Sequence, residues 1–418
     1  MRRSTSAAAL GLGLVFASAS VSEAGLYPYT TQLMARASVG SGASTFNLPS
    51  GSAFTSATPD INNNRRVTFK ALLNGATGEE SIWYGGVSAG SLGTGSIVFN
   101  ASSGGSLSDP TINNNNQVVF PQTFSSANGI YRYDGNTNTA ALHTNGPLGA
   151  SSWASPRMND AGQVGTRVTF GSGQGYVSYD VNPSSTAVHA TDVAANSTSP
   201  YSFLSTGNFD NSRRIAGRVN VGATFNNANP DEVRIFNPDG SSTLIARDRD
   251  GDATSPFFQF DNTQPGFNDN GWVAFISRTS TAGGSRSVFL SNGTETITIA
   301  TPGNGLTSID NFSPNVNNSN QVVFRATDLQ GRISVFVGDG TTLQRVIGVG
   351  DTIQTDIGEF AINSLGGNPT INDLGDIAFG GGLGAGGNFI AVAVVPEPAT
   401  VGVAALAGAS LLLRRRRD

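Results

Sequence analysis

Pro369-Thr370-Ile371-Asn372-Asp373-Leu374-Gly375-Asp376-Ile377-Ala378-Phe379 is the clearest of seven copies of one phrase, and residues 25 to 394 are built from it. Anchored on its central residue, the phrase recurs at Asn62, Asn113, Asn159, Asp210, Asn268, Asn317 and Asn372, in steps of 46 to 58 residues. Three positions before the anchor stands Pro59, Pro110, Pro156, Pro265, Pro314 or Pro369, with Gly207 in the fourth copy. The residue just before the anchor is always apolar and the one after it is always Asn or Asp. Three after the anchor come Asn116, Gly162, Gly271, Asn320 and Gly375, residue types that tolerate positive φ, but also Arg65 and Arg213. Five after it is always Val or Ile, and seven after it is Phe in every copy except Thr166 and Gly217. Side chains two apart share one face of a strand, so each copy reads as a tight polar turn feeding a buried strand.

A second strand follows each turn, as in Val233-Arg234-Ile235-Phe236, and most end in Asn-Gly or Asp-Gly, the signature of a two-residue hairpin. A third follows directly, as in Ser242-Thr243-Leu244-Ile245-Ala246-Arg247, and a weaker stretch such as Phe257-Phe258-Gln259-Phe260 supplies a fourth. Three to four strands in a unit of about 50 residues match a propeller blade. The seventh unit runs out after its second strand, at Ala391 to Val395. The missing strand is legible at the other terminus, where Thr31-Gln32-Leu33-Met34-Ala35-Arg36 repeats the pattern of residues 242 to 247. An N-terminal strand completing the last blade closes a ring and removes its exposed edges. The fold expected is therefore all-β, a seven-bladed β-propeller closed in this way, over an open repeat array.

Composition agrees with a turn-rich, exported β protein. Charged residues are 13% of the chain, 53 residues are glycine, and there is no cysteine, so neither disulfides nor thiol chemistry contribute. The net charge is -5 and Lys70 is the only lysine, which leaves no basic face for a nucleic-acid partner.

Three segments are expected. Residues 1–24 read as a secretory signal peptide, with Arg2-Arg3 before an apolar run and a cut after Ala24. Residues 25–394 form the propeller, and residues 395–418 form a tail. In the tail, Pro396-Glu397-Pro398 leads into an uncharged run from Thr400 to Leu413, then Arg414, Arg415, Arg416 and Arg417. Fourteen helical residues span about 21 Å against a hydrocarbon core of about 30 Å, so this transmembrane helix would be a marginal anchor. The order of Pro-Glu-Pro, short apolar helix and terminal arginine cluster resembles the PEP-CTERM sorting signal of bacterial exosortase substrates. That resemblance implies recognition of the tail in the membrane and cutting near Pro-Glu-Pro by an exosortase-type enzyme. The body would then pass to the cell envelope, cell surface or extracellular matrix. The repeat unit also resembles a family of secreted bacterial repeat proteins that often carry this tail.

Candidate chemistry is sparse. The Asn/Asp turns read either as a calcium or sugar site or as side chains that bond their own backbone. His143 and His189, the only histidines, each lie 30 residues after an anchor, so they hold equivalent places in successive blades. Such a pair could bind a metal, but no matched carboxylate accompanies it. Asp248, Asp250 and Asp252 alternate as if to wrap calcium, yet Gly251 is fourth rather than sixth and Gln259 replaces the twelfth-position Glu of an EF-hand. The doublets Glu79-Glu80 and Asp231-Glu232 read as solvated loop charge, and Trp83, Tyr84, Tyr131, Tyr133, Tyr176 and Tyr179 as either sugar platforms or packing. No catalytic residue and no cofactor other than calcium is indicated. The reading is a non-enzymatic surface or matrix scaffold for adhesion or for contact with extracellular polysaccharide or a surface protein. A secreted polysaccharide-active hydrolase or lyase, with its site in the central channel, is the alternative.

Overall fold

In the computed structural model the described residues are 27–38, 44–54, 58–73, 79–146, 149–181, 185–281, 283–303 and 305–396. The signal segment 1–24, the apolar run 400–413 and Glu397, Pro398 and Arg414 to Arg417 lie outside them. Among the described residues no helix is long and apolar enough to cross a membrane.

Seven antiparallel sheets form seven blades, and a separate two-stranded hairpin joins Thr352–Thr355 to Gly358–Ala361. Blade 1 runs outward through Asp60–Ile61, Arg66–Leu72, Glu80–Gly86 and Thr94–Asn100. The second strands of blades 2 to 6 are Gln117–Thr123, Val164–Phe170, Ile215–Val221, Val273–Arg278 and Val322–Asp328. Blade 7 consists of Ser364–Ile371, Ile377–Gly382 and Asn388–Val394, with Thr30–Ala37 as its outermost strand. The pairing Thr30↔Val394 through Ala37↔Asn388 closes the ring as the sequence requires.

The weak stretch before each proline belongs to the following blade, not the preceding one. Gln259–Phe260 pairs with Val273–Arg278 and is the innermost strand of blade 5. It is short because the innermost edge of the blade is interrupted at residues 261–265, and Gly266–Phe267, paired with the start of Val273–Arg278, is the piece that leads into the turn.

Both faces of each sheet are buried, and the apolar core is divided among seven clusters, one at each blade-to-blade interface. Val67, Phe69 and Trp83 of blade 1 pack against Ala378, Ile390 and Val392 of blade 7, and Val323 and Val335 of blade 6 pack against Ile377 and Phe379. Alternation along a strand thus serves two interfaces at once: Ile377 and Phe379 face blade 6 while Ala378 faces blade 1.

The two exceptions to the Phe position have different remedies. In blade 4 a Cβ on Gly217 would lie 2.0 Å from the Tyr176 hydroxyl, so the tyrosine of blade 3 occupies the volume that phenylalanine fills elsewhere. Its hydroxyl donates to Ser205 O at 2.7 Å. In blade 3 the Thr166 hydroxyl donates to Ala154 O at 3.0 Å.

The N-terminal strand is also tied sideways. Arg36, 2% exposed, grips Asp356 at the tip of the extra hairpin with Nε to Oδ1 at 2.7 Å and Nη2 to Oδ2 at 2.9 Å. A two-pronged guanidinium–carboxylate pair fixes orientation as well as distance.

Candidate functional site

The seven turns meet at one end of the central channel and are hydrogen-bonded to one another. Each anchor Asn first shapes its own turn: Asn62 Oδ1 accepts from the amides of Asn64 at 3.0 Å and Arg66 at 2.9 Å. Except in Asn159, whose Nδ2 donates to Gln163 Oε1 at 2.9 Å, the Nδ2 then donates to the anchor carbonyl of the next blade, at 2.8 Å for Asn62 to Asn113. The same link runs from Asn113 to Asn159, Asn268 to Asn317, Asn317 to Asn372 and Asn372 back to Asn62. Asp210 has no amide to donate, and there Arg214 donates to Asp269 O at 3.1 Å instead.

The residues just after the anchors make a second, complete ring. The backbone amides of Asn63, Asn114, Asp160, Asn211, Asp269, Asn318 and Asp373 each donate to the side-chain oxygen of the next member, at 2.7 to 2.9 Å. Around the circle Asn and Asp alternate, so that Asn211 Nδ2 reaches Asp160 at 3.2 Å and Asp269 at 3.0 Å. An odd ring must contain one like pair, and it is Asn63 beside Asn114. An amide both donates and accepts, whereas two adjacent carboxylates would repel.

All seven residues three after the anchor have positive φ, including Arg65 at 56° and Arg213 at 65°. Residue type alone would not place arginine there. Their side chains supply compensation: Arg65 Nε meets Asp376 at 2.9 Å, and Arg213 Nε meets Ser178 Oγ at 2.8 Å.

Above the ring the channel holds a cavity of about 150 Å³, and a further pocket of about 90 Å³ opens at the proline end. That end gathers Asp60, Asp109 and Arg157. Asp60 accepts from the Ile112 amide at 3.0 Å and lies 3.8 Å from Arg157. Burial pushes both Asp60 and Asp109 above the usual carboxylate range, against the opposing pull of Arg157 on the first and Lys70 on the second. The turn motif made the ring findable, whereas this acid–base group comes from positions that vary between copies.

The histidines do not meet each other. His189 sits at the interface of blades 3 and 4, with Nε2 2.8 Å from Ser178 Oγ and Nδ1 3.3 Å from Phe236 O. His143 is buried with Nε2 unpartnered. Burial first, then nearby arginine, lowers His143 to about 4, and burial does the same to His189.

The three aspartates of the alternating run separate. Asp248 and Asp250 line one pocket with Asp231, while Asp252 turns back to accept from Thr254 N at 2.9 Å. Among the described residues no three His, Asp or Glu side chains are placed to hold a metal.

Glu79 is exposed as solvated loop charge, but the other three carboxylates of the doublets are paired. Glu232 is 2% exposed, paired with Arg234 and, at 2.6 Å, with Arg247 Nε, while Asp231 meets Arg218 at 2.6 Å. Both begin a strand, Asp231–Phe236, whose next-neighbour arginines the doublet alone does not reveal. Glu80 likewise begins a strand and pairs with Lys70 at 3.2 Å. Of the aromatics, Trp83, Tyr133, Tyr176 and Tyr179 are buried, and the Trp83 ring stacks on Phe69.

No protein-family model and no curated relative matches the chain. Solved structures match in shape alone. An oligogalacturonate lyase in complex with manganese superposes with a TM-score of 0.53 at 11% identity, over 88% of this chain and 97% of that one. An acylaminoacyl peptidase from Pyrococcus horikoshii gives 0.51 at 11% identity, over 79% of this chain, which spans about half (49%) of the peptidase. The β-propeller domain of the Trilobed protease from Pyrococcus furiosus, described as having an open velcro topology, gives 0.50 at 11% identity over 78% of this chain and 89% of that one. At such identities the likeness establishes the propeller and nothing about chemistry.

Proposed function

We propose that the chain is an exported, non-enzymatic surface or matrix protein whose propeller displays one face away from its attachment point, for contact with extracellular polysaccharide or another surface protein. The observation that carries this is where the two ends of the described chain emerge. Thr30 pairs with Val394 at the turn end of blade 7, and the Tyr29 hydroxyl donates to Gly375 O at 3.0 Å in the same turn. Val395 is held there too, its amide on Asp376 Oδ1 at 2.7 Å and its carbonyl under Arg65 Nη2 at 2.9 Å. The last clamped residue immediately precedes Pro396-Glu397-Pro398. A cut near that element would leave every propeller hydrogen bond intact, and a tail anchored in a membrane would put the turn face toward the cell. The proline end of the channel would face outward.

Cell fractionation of the native protein and of a variant lacking residues 396–418, with mass spectrometry of the mature C-terminus, tests the reading. Surface or matrix protein ending near residues 396 to 399, and loss of that location in the variant, is the expected result. Native protein in the cytoplasm, or carrying Arg414 to Arg417 at its final location, would overturn it.

The second reading, a polysaccharide-active enzyme, is favoured by one feature: two carboxylates of raised proton affinity beside Arg157 at the outward channel mouth. Release of reducing ends or unsaturated products, abolished by Asp109→Asn, would establish it.

A further inference from the structure

Thr30–Ala37 is the outermost strand of its blade, yet it is buried from Gln32 to Ala37. The outermost strands of blades 2 and 4, Thr139–Thr144 and Ser242–Arg247, keep much of their length exposed. Protection of a sheet edge does not explain the difference, because those strands carry the same liability without such cover.

Three separate elements cover the N-terminal strand. Phe46 exchanges backbone hydrogen bonds with Arg36, at 3.0 and 2.8 Å. A loop of blade 1 grips its middle: the Leu33 amide donates to Ser91 O at 2.9 Å, the Leu33 carbonyl accepts from Gly93 N at 2.7 Å, and Gln32 Nε2 donates to Ser88 O at 2.7 Å. The third is the extra hairpin, whose Asp356 holds Arg36 and whose Ile353 shares a core cluster with Leu33.

The strand beside it is the one that leads to the tail. Asn388–Val394 lies between Ile377–Gly382 and Thr30–Ala37 and is paired with both along nearly all of its length. Its exit is braced where Asp376 and Arg65 hold the Val395 amide and carbonyl. A pull on Val395 away from the turn face runs along this strand, which must then slide past both neighbours. In a slide the ladder bonds resist together rather than in turn. The covers decide how many resist: an N-terminal strand free at its outer edge would be dragged along, leaving one ladder instead of two. A pull between the two ends of the described chain differs, because Thr30 and Val394 are direct partners and the ladder opens bond by bond from that end.

We infer that the closed seventh blade is a load-bearing clamp, in which force entering through the tail is carried in shear by Asn388–Val394 and passed through the covered strand Thr30–Ala37 into blade 1 and the extra hairpin. The inference deepens the display reading and rests on it for the source of the load, but its mechanics are separable in the test.

The chain has no cysteine, so attachment points can be introduced singly. The full-length protein is pulled in a force spectrometer between Leu329→Cys, at an exposed position, and Pro396→Cys, and separately between the exposed Pro28→Cys and Pro396→Cys. Rupture in the first geometry at a force at least about twofold that in the second is expected. Asp356→Ala should lower the first force and leave the second unchanged, because peeling starts at Thr30 while Arg36 pairs near the far end, with Phe389. Asp356 stands at a hairpin tip, and circular dichroism would verify that the fold survives its loss. Equal forces in the two geometries, no effect of Asp356→Ala on the first, or an equal loss in both would overturn the clamp. If the clamp holds while fractionation finds the native protein in the cytoplasm, the clamp stands and the display reading falls.

Discussion

The backbone amide of Asp373 donates to Asn63 Oδ1 at 2.8 Å, joining residues 310 apart in the chain. That bond is the last of seven equivalent ones, and it makes the turn face a circle rather than a series. Together with the Thr30–Ala37 strand it closes the molecule twice, once at the axis and once at the rim.

Asn63 occupies the one place in the ring where like neighbours meet. Asn63→Asp would replace the 2.8 Å amide donor to Asp373 with a second carboxylate. The expected loss is on the order of 1–3 kcal/mol at neutral pH, largely relieved near pH 4 as one carboxylate takes up a proton. Urea denaturation at the two pH values measures it. Asp373→Asn should also destabilise, through its lost acceptor, but without relief in acid.

The outer closure can be locked. Thr31 and Ala393 are direct partners in the strand register, and the chain has no cysteine to interfere. The Thr31→Cys/Ala393→Cys pair should oxidise readily and raise stability by about 3–5 kcal/mol, reversibly with reductant, because it links nearly the whole chain. A pair that remains reduced in the folded protein would refute the register.

Asp248 sets a pH dependence. Burial, reinforced by Asp231 and Asp250, raises it to about 7. The folded state therefore holds its proton more tightly than the unfolded chain, whose aspartates titrate near pH 4. Its contribution to stability falls as pH rises from about 4 to 7 and stays unfavourable above, by on the order of 3 kcal/mol. Asp248→Asn should raise the melting temperature at pH 8 and leave it unchanged at pH 4. An equal gain at both values would show that the charge is not what costs stability.

Tyr176 and Gly217 exchange volume across the blade 3–4 interface. Tyr176→Ala should cost about 3–5 kcal/mol by opening a cavity, and Gly217→Phe should be disruptive because the tyrosine hydroxyl fills that space. The double variant should recover stability relative to the sum of the two losses, a coupling that a double-mutant cycle in denaturant would read.

The blade count, the buried Val/Ile and Phe positions and the returning N-terminal strand were legible in the chain because each depends on local periodicity repeated seven times. Arg65 and Arg213 resisted the same reading, since their residue type argues against positive φ and only Asp376 and Ser178, distant in sequence, account for them. Asp231-Glu232 was misread as solvated because two of the arginines that pair with it, Arg218 and Arg247, arrive from adjacent strands, while the third, Arg234, stands two residues along its own strand.

By itself the sequence determined a repeating turn-and-strand unit and the need for a strand from the front to finish the last one, because spacing and alternation are properties of the chain. Only the tertiary structure decided what the turn residues bond to, which face carries the two ends, and that Asp248 is buried. Those facts depend on seven units meeting around an axis and on neighbours 40 to more than 300 residues away, and no local pattern encodes such meetings.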